Sequence, residues 1–110
     1  MVNTVVITRA AQKDLRRVSA QIRASFARWV ALVETSGIMA AREVPGYNDE
    51  ALKGQRKGQR SVRLSQGYRA IYETKRDGAI HFISVEEITN HEYWPDPCRG
   101  LRYVHAQDAR

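Results

Sequence analysis

The sequence predicts an α+β domain: an N-terminal strand, two helices or one long bent helix, and then an antiparallel sheet with the helices on one face. Three observations predict this order. The start of the chain, residues 2–8, is short and rich in β-branched residues, which favours a strand. Apolar residues then recur at three- and four-residue steps. Further on, residues 60–64 and 68–73 alternate between apolar and polar side chains.

The helical region is marked by apolar side chains that share one face at a period of 3.6 residues. They are Leu15, Val18, Ile22, Phe26, Trp29, Val30 and Val33. Ser19 can cap a second helix that extends to about Thr35, and one continuous helix satisfies the same pattern. Gly37 is typical of a helix end. We expect Phe26 and Trp29 to pack in the core.

The segment that follows is a loop by composition and leads into a hairpin. Residues 38–50 contain Pro45, Gly46, Asn48 and Asp49, and this composition predicts a loop. Only residues 65–67 separate the two alternating runs, and a three-residue connection that ends in Gly67 predicts a hairpin whose glycine is left-handed. This connection fixes a register with three facing pairs: Leu64 with Tyr68, Arg63 with Arg69, and Val62 with Ala70.

The register places two arginines opposite each other on the face of the sheet that the helices leave open. Alternation assigns the other face to the core, with Val62, Leu64, Tyr68, Ala70 and Tyr72. Like charges that face each other across two strands destabilise a sheet. Because the sequence nevertheless pairs Arg63 with Arg69, we expect an anion between them.

A second turn and a fourth strand complete the predicted sheet. Asp77-Gly78 is a hairpin signal, and residues 80–88 are apolar enough for a strand inside the sheet. His91 and Tyr93 follow just past the end of this strand. Pro95 ends any regular element, so we divide the chain into a domain of residues 1–94 and a C-terminal tail of residues 95–110.

Composition narrows the class of protein. The chain has 110 residues and a formal net charge of +6, which suits one domain with a polyanionic partner, either nucleic acid or an acidic protein. Cys98 is the single cysteine, so no internal disulfide and no cysteine-based zinc site is expected. No signal peptide and no membrane-spanning run is recognised. We expect a soluble cytoplasmic protein without membrane contact.

The polar residues suit a ribonuclease that works without a metal or other cofactor. Such an enzyme needs a base for the ribose 2′-OH, cations for the charge on phosphorus, and an acid for the leaving 5′-oxygen. Arg63 and Arg69 suit the phosphate because a guanidinium matches two of its oxygens. Glu50 and His91 are both candidates for the base, and His91 and Tyr93 for the acid. Further positive charge for binding RNA comes from Lys53, Arg56, Lys57 and Arg60.

Four short motifs stand out: Leu-Lys-Gly at 52–54, Arg-Leu at 63–64, Gly-Tyr-Arg-x-x-Tyr at 67–72 and His-Glu-Tyr at 91–93. Together they resemble the RelE/ParE superfamily of bacterial toxins, most closely its RelE, YoeB and HigB-like ribonucleases. The resemblance implies a toxin that cleaves mRNA in the ribosomal A site, needs no cofactor and is held inactive by a cognate antitoxin protein. It implies that Arg69 is catalytic, that Arg63 is a basic site residue, that Glu50 is the general base, and that His91 and Tyr93 complete the site.

Two departures from the RelE pattern refine this prediction. Ser61 stands where RelE-type sites have a first basic residue, and a further RelE arginine falls near Ile88 and is missing. The Glu/Arg/His/Tyr version of the site therefore suits the sequence better. The principal alternative is a ParE-like toxin that blocks DNA gyrase without nuclease activity. A plain basic nucleic-acid-binding module is a third alternative, but no strand rich in aromatic residues supports it.

Overall fold

The structure is a computed structural model, and it describes residues 1–90. It contains β1 (Val5–Ile7), α1 (Arg9–Leu15), α2 (Ala20–Ser36), α3 (Ile38–Arg42), β2 (Glu50–Ala51), β3 (Gln59–Arg63), β4 (Tyr68–Asp77) and β5 (Ile80–Asn90). The predicted α+β class is confirmed. His91, Tyr93 and the proposed tail of residues 95–110 lie outside the described residues.

The helical region divides into two helices, because each has its own N-terminal cap. The hydroxyl of Thr8 accepts a hydrogen bond from the Ala11 amide at 3.2 Å, and that of Ser19 accepts one from the Ile22 amide at 3.3 Å. These caps satisfy amide groups that have no partner inside a helix. The two-helix alternative is thus the one observed. Gly37 ends α2 with a φ of 87°, a conformation that favours glycine.

The prediction of an uninterrupted loop over residues 38–50 is wrong. A short helix, α3, follows Gly37 directly, and a single 3-10 turn, Pro45–Tyr47, comes before β2. Ile38 and Ala41 of α3 are buried in the core. The composition signals of this segment therefore mark where regular structure ends, while tertiary packing of two apolar residues gives its first part a helical turn.

Residues 1–90 form one sheet of five strands in the order β1-β5-β4-β3-β2. The predicted register is confirmed, with Val62 opposite Ala70 and Arg63 opposite Arg69. The predicted antiparallel pairing of β3, β4 and β5 is confirmed, and β1, for which no partner is predicted, pairs parallel with β5 and makes the sheet mixed. β5 lies between β1 and β4, which agrees with its apolar composition.

The prediction that Gly67 is left-handed is also wrong. The glycines with positive φ among the described residues are Gly37, Gly54, Gly58 and Gly78. The connection between β3 and β4 is instead closed by two amides, those of Leu64 and Ser65, which both donate to the Tyr68 carbonyl. The Ser65 hydroxyl accepts from the Gly67 amide at 3.2 Å, so a side chain forms the turn that a left-handed glycine was expected to form.

One core lies between the helices and one face of the sheet. Trp29 is fully buried, and its ring centroid lies 6.1 Å from that of Phe26 and 5.3 Å from that of Tyr72. The predicted core residues Val62, Leu64 and Ala70 are buried, and Tyr68 packs against them from the edge. The helices therefore cover one face, as predicted. No helix within residues 1–90 is long and apolar enough to cross a membrane.

Candidate functional site

The face of the sheet opposite the helices, here called the outer face, carries the predicted arginines. Strand pairing aligns Arg63, Arg69 and Thr89 in one row across β3, β4 and β5. The neighbouring row holds Ser61 and Ile71, and β2 places Glu50 opposite Ser61. The sheet thus brings Glu50, Arg63 and Arg69 to one end of the outer face.

Arg69 is not open to solvent, contrary to the sequence-based expectation. Its side chain is 5% exposed. Nε and Nη2 donate to the Ser61 hydroxyl at 3.0 and 2.8 Å, and Nη2 also donates to the Asn48 carbonyl at 3.1 Å. The serine in the place of a RelE-type basic residue therefore has a clear role, because its hydroxyl fixes the guanidinium of the adjacent strand.

Glu50 lies beside this buried guanidinium and reaches solvent. Its Oε1 is 3.4 Å from Nη2 of Arg69, and its side chain is 50% exposed. The preceding Asn48 has a φ of 44°, a left-handed conformation that asparagine tolerates, and this turn directs the chain into β2. The result is a carboxylate that is anchored from the protein side by a cation and accessible from the solvent side.

Arg63 provides the exposed positive charge of the site. Burial lowers the pKa of Arg69, and the charge of Arg63 lowers it further, whereas Glu50 acts in the opposite direction. The two arginines therefore repel each other, as their facing positions predict. Of the two, Arg63 is exposed and Arg69 is buried, so Arg63 is the guanidinium that a phosphate can reach directly.

A buried polar cluster, absent from the sequence-based prediction, holds the loop that carries Glu50. The Asp49 side chain is 0% exposed, and its Oδ1 accepts from Nε of Arg60 at 2.6 Å. Its Oδ2 accepts from the hydroxyl of Tyr72, which in turn accepts from Nε of Arg42 at 3.3 Å. Burial and the bond to Asp49 raise the pKa of Tyr72 to about 12.

One signal in the sequence pointed to this cluster. The predicted register places Arg60 on the core face opposite Tyr72, and an arginine on a core face needs a carboxylate partner. Asp49 is the acidic residue immediately before β2, the strand that pairs with β3. Arg60, predicted to bind RNA, is thus held on the core side of the sheet.

The other predicted RNA-binding residues divide into one paired arginine and two exposed lysines. Arg56 lies in a 3-10 turn, Gly54–Arg56, which folds over the outer face, and its Nη2 is 2.6 Å from Oε1 of Glu87 on β5. Left-handed glycines on both sides of Arg56, Gly54 and Gly58, permit this fold. Lys53 and Lys57 are exposed on the same segment.

The end of β5 leads toward the two predicted residues that the structure does not describe. Asn90, its last residue, pairs with Tyr68, one position from Arg69 on β4. His91 and Tyr93 follow in the sequence, and their roles stay predictions. Within residues 1–90, no group of three His, Cys, Asp or Glu residues is arranged to hold a metal ion.

Comparison with sequences gives no relative. No family model matches the chain, and no curated protein is significantly similar to it.

Comparison with solved structures shows the fold. The YoeB/ParE toxin from Agrobacterium tumefaciens is 19% identical, with a TM-score of 0.59 over 80% of this chain and 98% of its own. YafQ from E. coli strain BL21(DE3) is 16% identical, with a TM-score of 0.62 over 82% and 94%. The archaeal RelE–RelB complex from Pyrococcus horikoshii OT3 contains a chain that is 19% identical, with a TM-score of 0.60 over 83% of this chain and 97% of its own. The chain therefore has the fold of the RelE-like toxins, as its motifs predicted.

Proposed function

We propose that this protein is the toxin of a bacterial type II toxin–antitoxin pair and acts as an endoribonuclease on mRNA in the ribosomal A site. The observation that supports this most directly is the contact between Glu50 and Arg69. A half-exposed carboxylate, 3.4 Å from a buried guanidinium and on the same face of the sheet as the exposed Arg63, combines a proton acceptor with phosphate-binding charge. The fold, shared with solved toxins of this class, supports the same proposal.

The proposed reaction divides the work among four groups: a base, two arginines and an acid. Glu50, or His91 as the alternative base, accepts the proton of the ribose 2′-OH, and the oxygen attacks the neighbouring phosphorus. Arg63 binds the phosphate oxygens as negative charge develops on them. Arg69 adds positive charge from behind and positions Glu50. His91 or Tyr93 donates a proton to the 5′-oxygen as the bond from phosphorus to that oxygen breaks, which leaves a 2′,3′-cyclic phosphate.

A substrate that lacks the nucleophile tests this chemistry. An mRNA with a single 2′-deoxy nucleotide at the cut site, on programmed ribosomes, is expected to resist cleavage, because the attacking oxygen is absent. The matched control carries the 2′-deoxy nucleotide two positions away and is expected to be cut normally. Product ends are read by mass, and the normal product should carry a cyclic or 3′-phosphate. Efficient cutting of the deoxy substrate, or a 3′-hydroxyl end, contradicts the mechanism.

The gyrase alternative requires a different readout. Primer extension on total RNA after induction should show new 5′ ends inside messages if the nuclease proposal is correct. Intact messages together with loss of plasmid supercoiling would support the ParE-like alternative instead.

The antitoxin is proposed to be an acidic partner that covers the end of the outer face. A solved structure with this fold is a RelE–RelB complex, and Arg63, Lys53 and Lys57 present exposed positive charge here. Charge complementarity accelerates association and suppresses wrong partners.

Charge reversal on this surface is expected to weaken binding of the antitoxin. The double variant Lys53→Glu, Lys57→Glu should bind the antitoxin at least tenfold more weakly than the wild type at low salt, with a smaller loss at high salt because screening weakens the wild-type contact. Lys13→Glu, an exposed change on α1, is the control. Equal effects of the double variant and the control, measured by titration calorimetry, would place the antitoxin elsewhere.

A further inference from the structure

A pocket of about 330 Å³ opens beside the candidate site, between α2, the turn Pro45–Tyr47 and the connection from β3 to β4. Arg63 lines it together with Arg28 of α2, and Tyr47 forms part of its wall. Ligand pockets for small organic groups begin at about 300 Å³. The space is therefore sufficient for roughly one nucleotide.

The positive charge that lines this pocket suits an anionic ligand. Arg28 and Arg63 are both exposed, and neither forms an ion pair with another residue of the described part of the chain. None of the described residues that line the pocket is an aspartate or a glutamate. Two guanidinium groups on separate elements around one concave space are a suitable arrangement for a phosphate group, which a planar fork of N–H donors binds well.

The walls of the pocket are held in place by buried contacts. The hydroxyl of Ser25, which is buried, donates to the Leu64 carbonyl at 2.7 Å and joins α2 to the connection between β3 and β4. Tyr47 is half-buried, packs against the hydrophobic core and lines the pocket. An aromatic ring beside a phosphate site is a common platform for stacking an unpaired base.

We propose that this pocket is a second RNA subsite. It binds the nucleotide adjacent to the one that reacts, with its phosphate on Arg28 and Arg63 and its base against Tyr47. The proposal rests on the proposed function, because it takes single-stranded RNA as the substrate. Arg63 then bridges the reacting phosphate and its neighbour, and Arg28 is a residue that binds and aligns the strand without taking part in proton transfer.

Binding of an RNA that cannot react separates this subsite from catalysis. The probe is a fluorescent hexanucleotide with 2′-O-methyl groups throughout, and its affinity for the full-length protein is measured by anisotropy over a salt series. Arg28→Ala is expected to weaken binding about tenfold and to reduce the slope of log affinity against log salt by about 0.7, the change for one phosphate contact on a single strand. Tyr47→Leu is expected to weaken binding by a similar factor without a change in slope.

Arg17→Ala is the matched control, since Arg17 is exposed in the same helical region and does not line the pocket. It is expected to weaken binding less than twofold. Equal losses for Arg28→Ala and Arg17→Ala, or an unchanged affinity in Tyr47→Leu, would overturn the subsite and indicate a general basic surface. An acidic antitoxin bound in the pocket, with RNA affinity unchanged in Arg28→Ala, would also overturn it.

The same variants distinguish failure of the subsite from failure of the proposed function. If Arg28→Ala weakens binding of the hexanucleotide while the wild type never cuts mRNA on programmed ribosomes, the subsite stands and the nuclease proposal fails. If the wild type cuts mRNA and Arg28→Ala binds and cuts as well as the wild type, the nuclease proposal stands and the subsite fails.

Discussion

Arg69→Ala is expected to abolish toxicity and to slow mRNA cleavage on programmed ribosomes by about 100-fold or more. Loss of a group that stabilises charge in the transition state typically costs about 3 kcal/mol, which corresponds to that factor. In this protein the guanidinium also fixes Glu50 at 3.4 Å. Growth after induction and single-turnover cleavage at saturating protein provide the measurement.

Two further variants keep this prediction separate from a loss of structure. Arg63→Ala removes the exposed arginine, so it should lose cleavage with little change in thermal stability. Arg76→Ala removes an exposed arginine near the far end of β4 and should behave as the wild type. An Arg69→Ala protein that has the stability and the antitoxin affinity of the wild type, yet stays toxic, would refute the proposed catalytic role of Arg69.

Asp49→Ala is expected to reduce the free energy of unfolding by about 2–4 kcal/mol, because it leaves Arg60 and the Tyr72 hydroxyl without their shared acceptor. The residue does not face the proposed substrate, so its effect on cleavage should follow from displacement of the adjacent Glu50. Urea denaturation followed by Trp fluorescence measures the loss of stability. A change within about 0.5 kcal/mol, the range typical of surface substitutions, would show that the cluster does not hold the loop.

The titration of Tyr72 gives an independent measure of the same cluster. Its pKa of about 12 in the folded protein lies above the ordinary value of about 10. The stabilisation linked to this shift is therefore fully present below pH 10 and is lost as the pH rises to about 12. The absorbance of the Tyr72 tyrosinate is identified as the part of the signal that is lost in Tyr72→Phe. In Asp49→Asn this absorbance should appear at lower pH than in the wild type, because the hydrogen bond to the Asp49 carboxylate, which raises the pKa of Tyr72, is gone.

Local patterns predicted the parts of the fold that depend on neighbouring residues. The alternation in residues 60–64 and 68–73 gave the face and the register of the hairpin, since a shift of one residue would turn Val62 and Ala70 to solvent. Ser19 is a candidate cap on its local chemistry, and its hydrogen bond with the Ile22 amide decides between the one-helix and two-helix alternatives. The apolar period of α2 placed Trp29 in the core for the same reason.

The features that the sequence did not reveal depend on distant contacts. The parallel pairing of β1 with β5 joins the two ends of the described chain, and no local signal encodes it. Alternation correctly placed Arg69 on the outer face but could not show that Asn48 and Glu50 would cover it. Arg56 and Arg60 are predicted RNA-binding residues, and their ion pairs with Glu87 and Asp49 become apparent only in the folded chain.

The parallel pairing of β1 with β5 has a consequence for biosynthesis. Val5 lies opposite Ile83, so β1 cannot pair in the sheet before β5 has been synthesised. Pairing over such a separation is slow, because the loop between the strands must close first. On the translating ribosome, β1 and α1 emerge long before β5, and β1 can pair in the sheet only after β5 has left the exit tunnel. Arg69 and Thr89 share a row of this sheet, so the row that contains Arg69 is complete only after β5 has been synthesised.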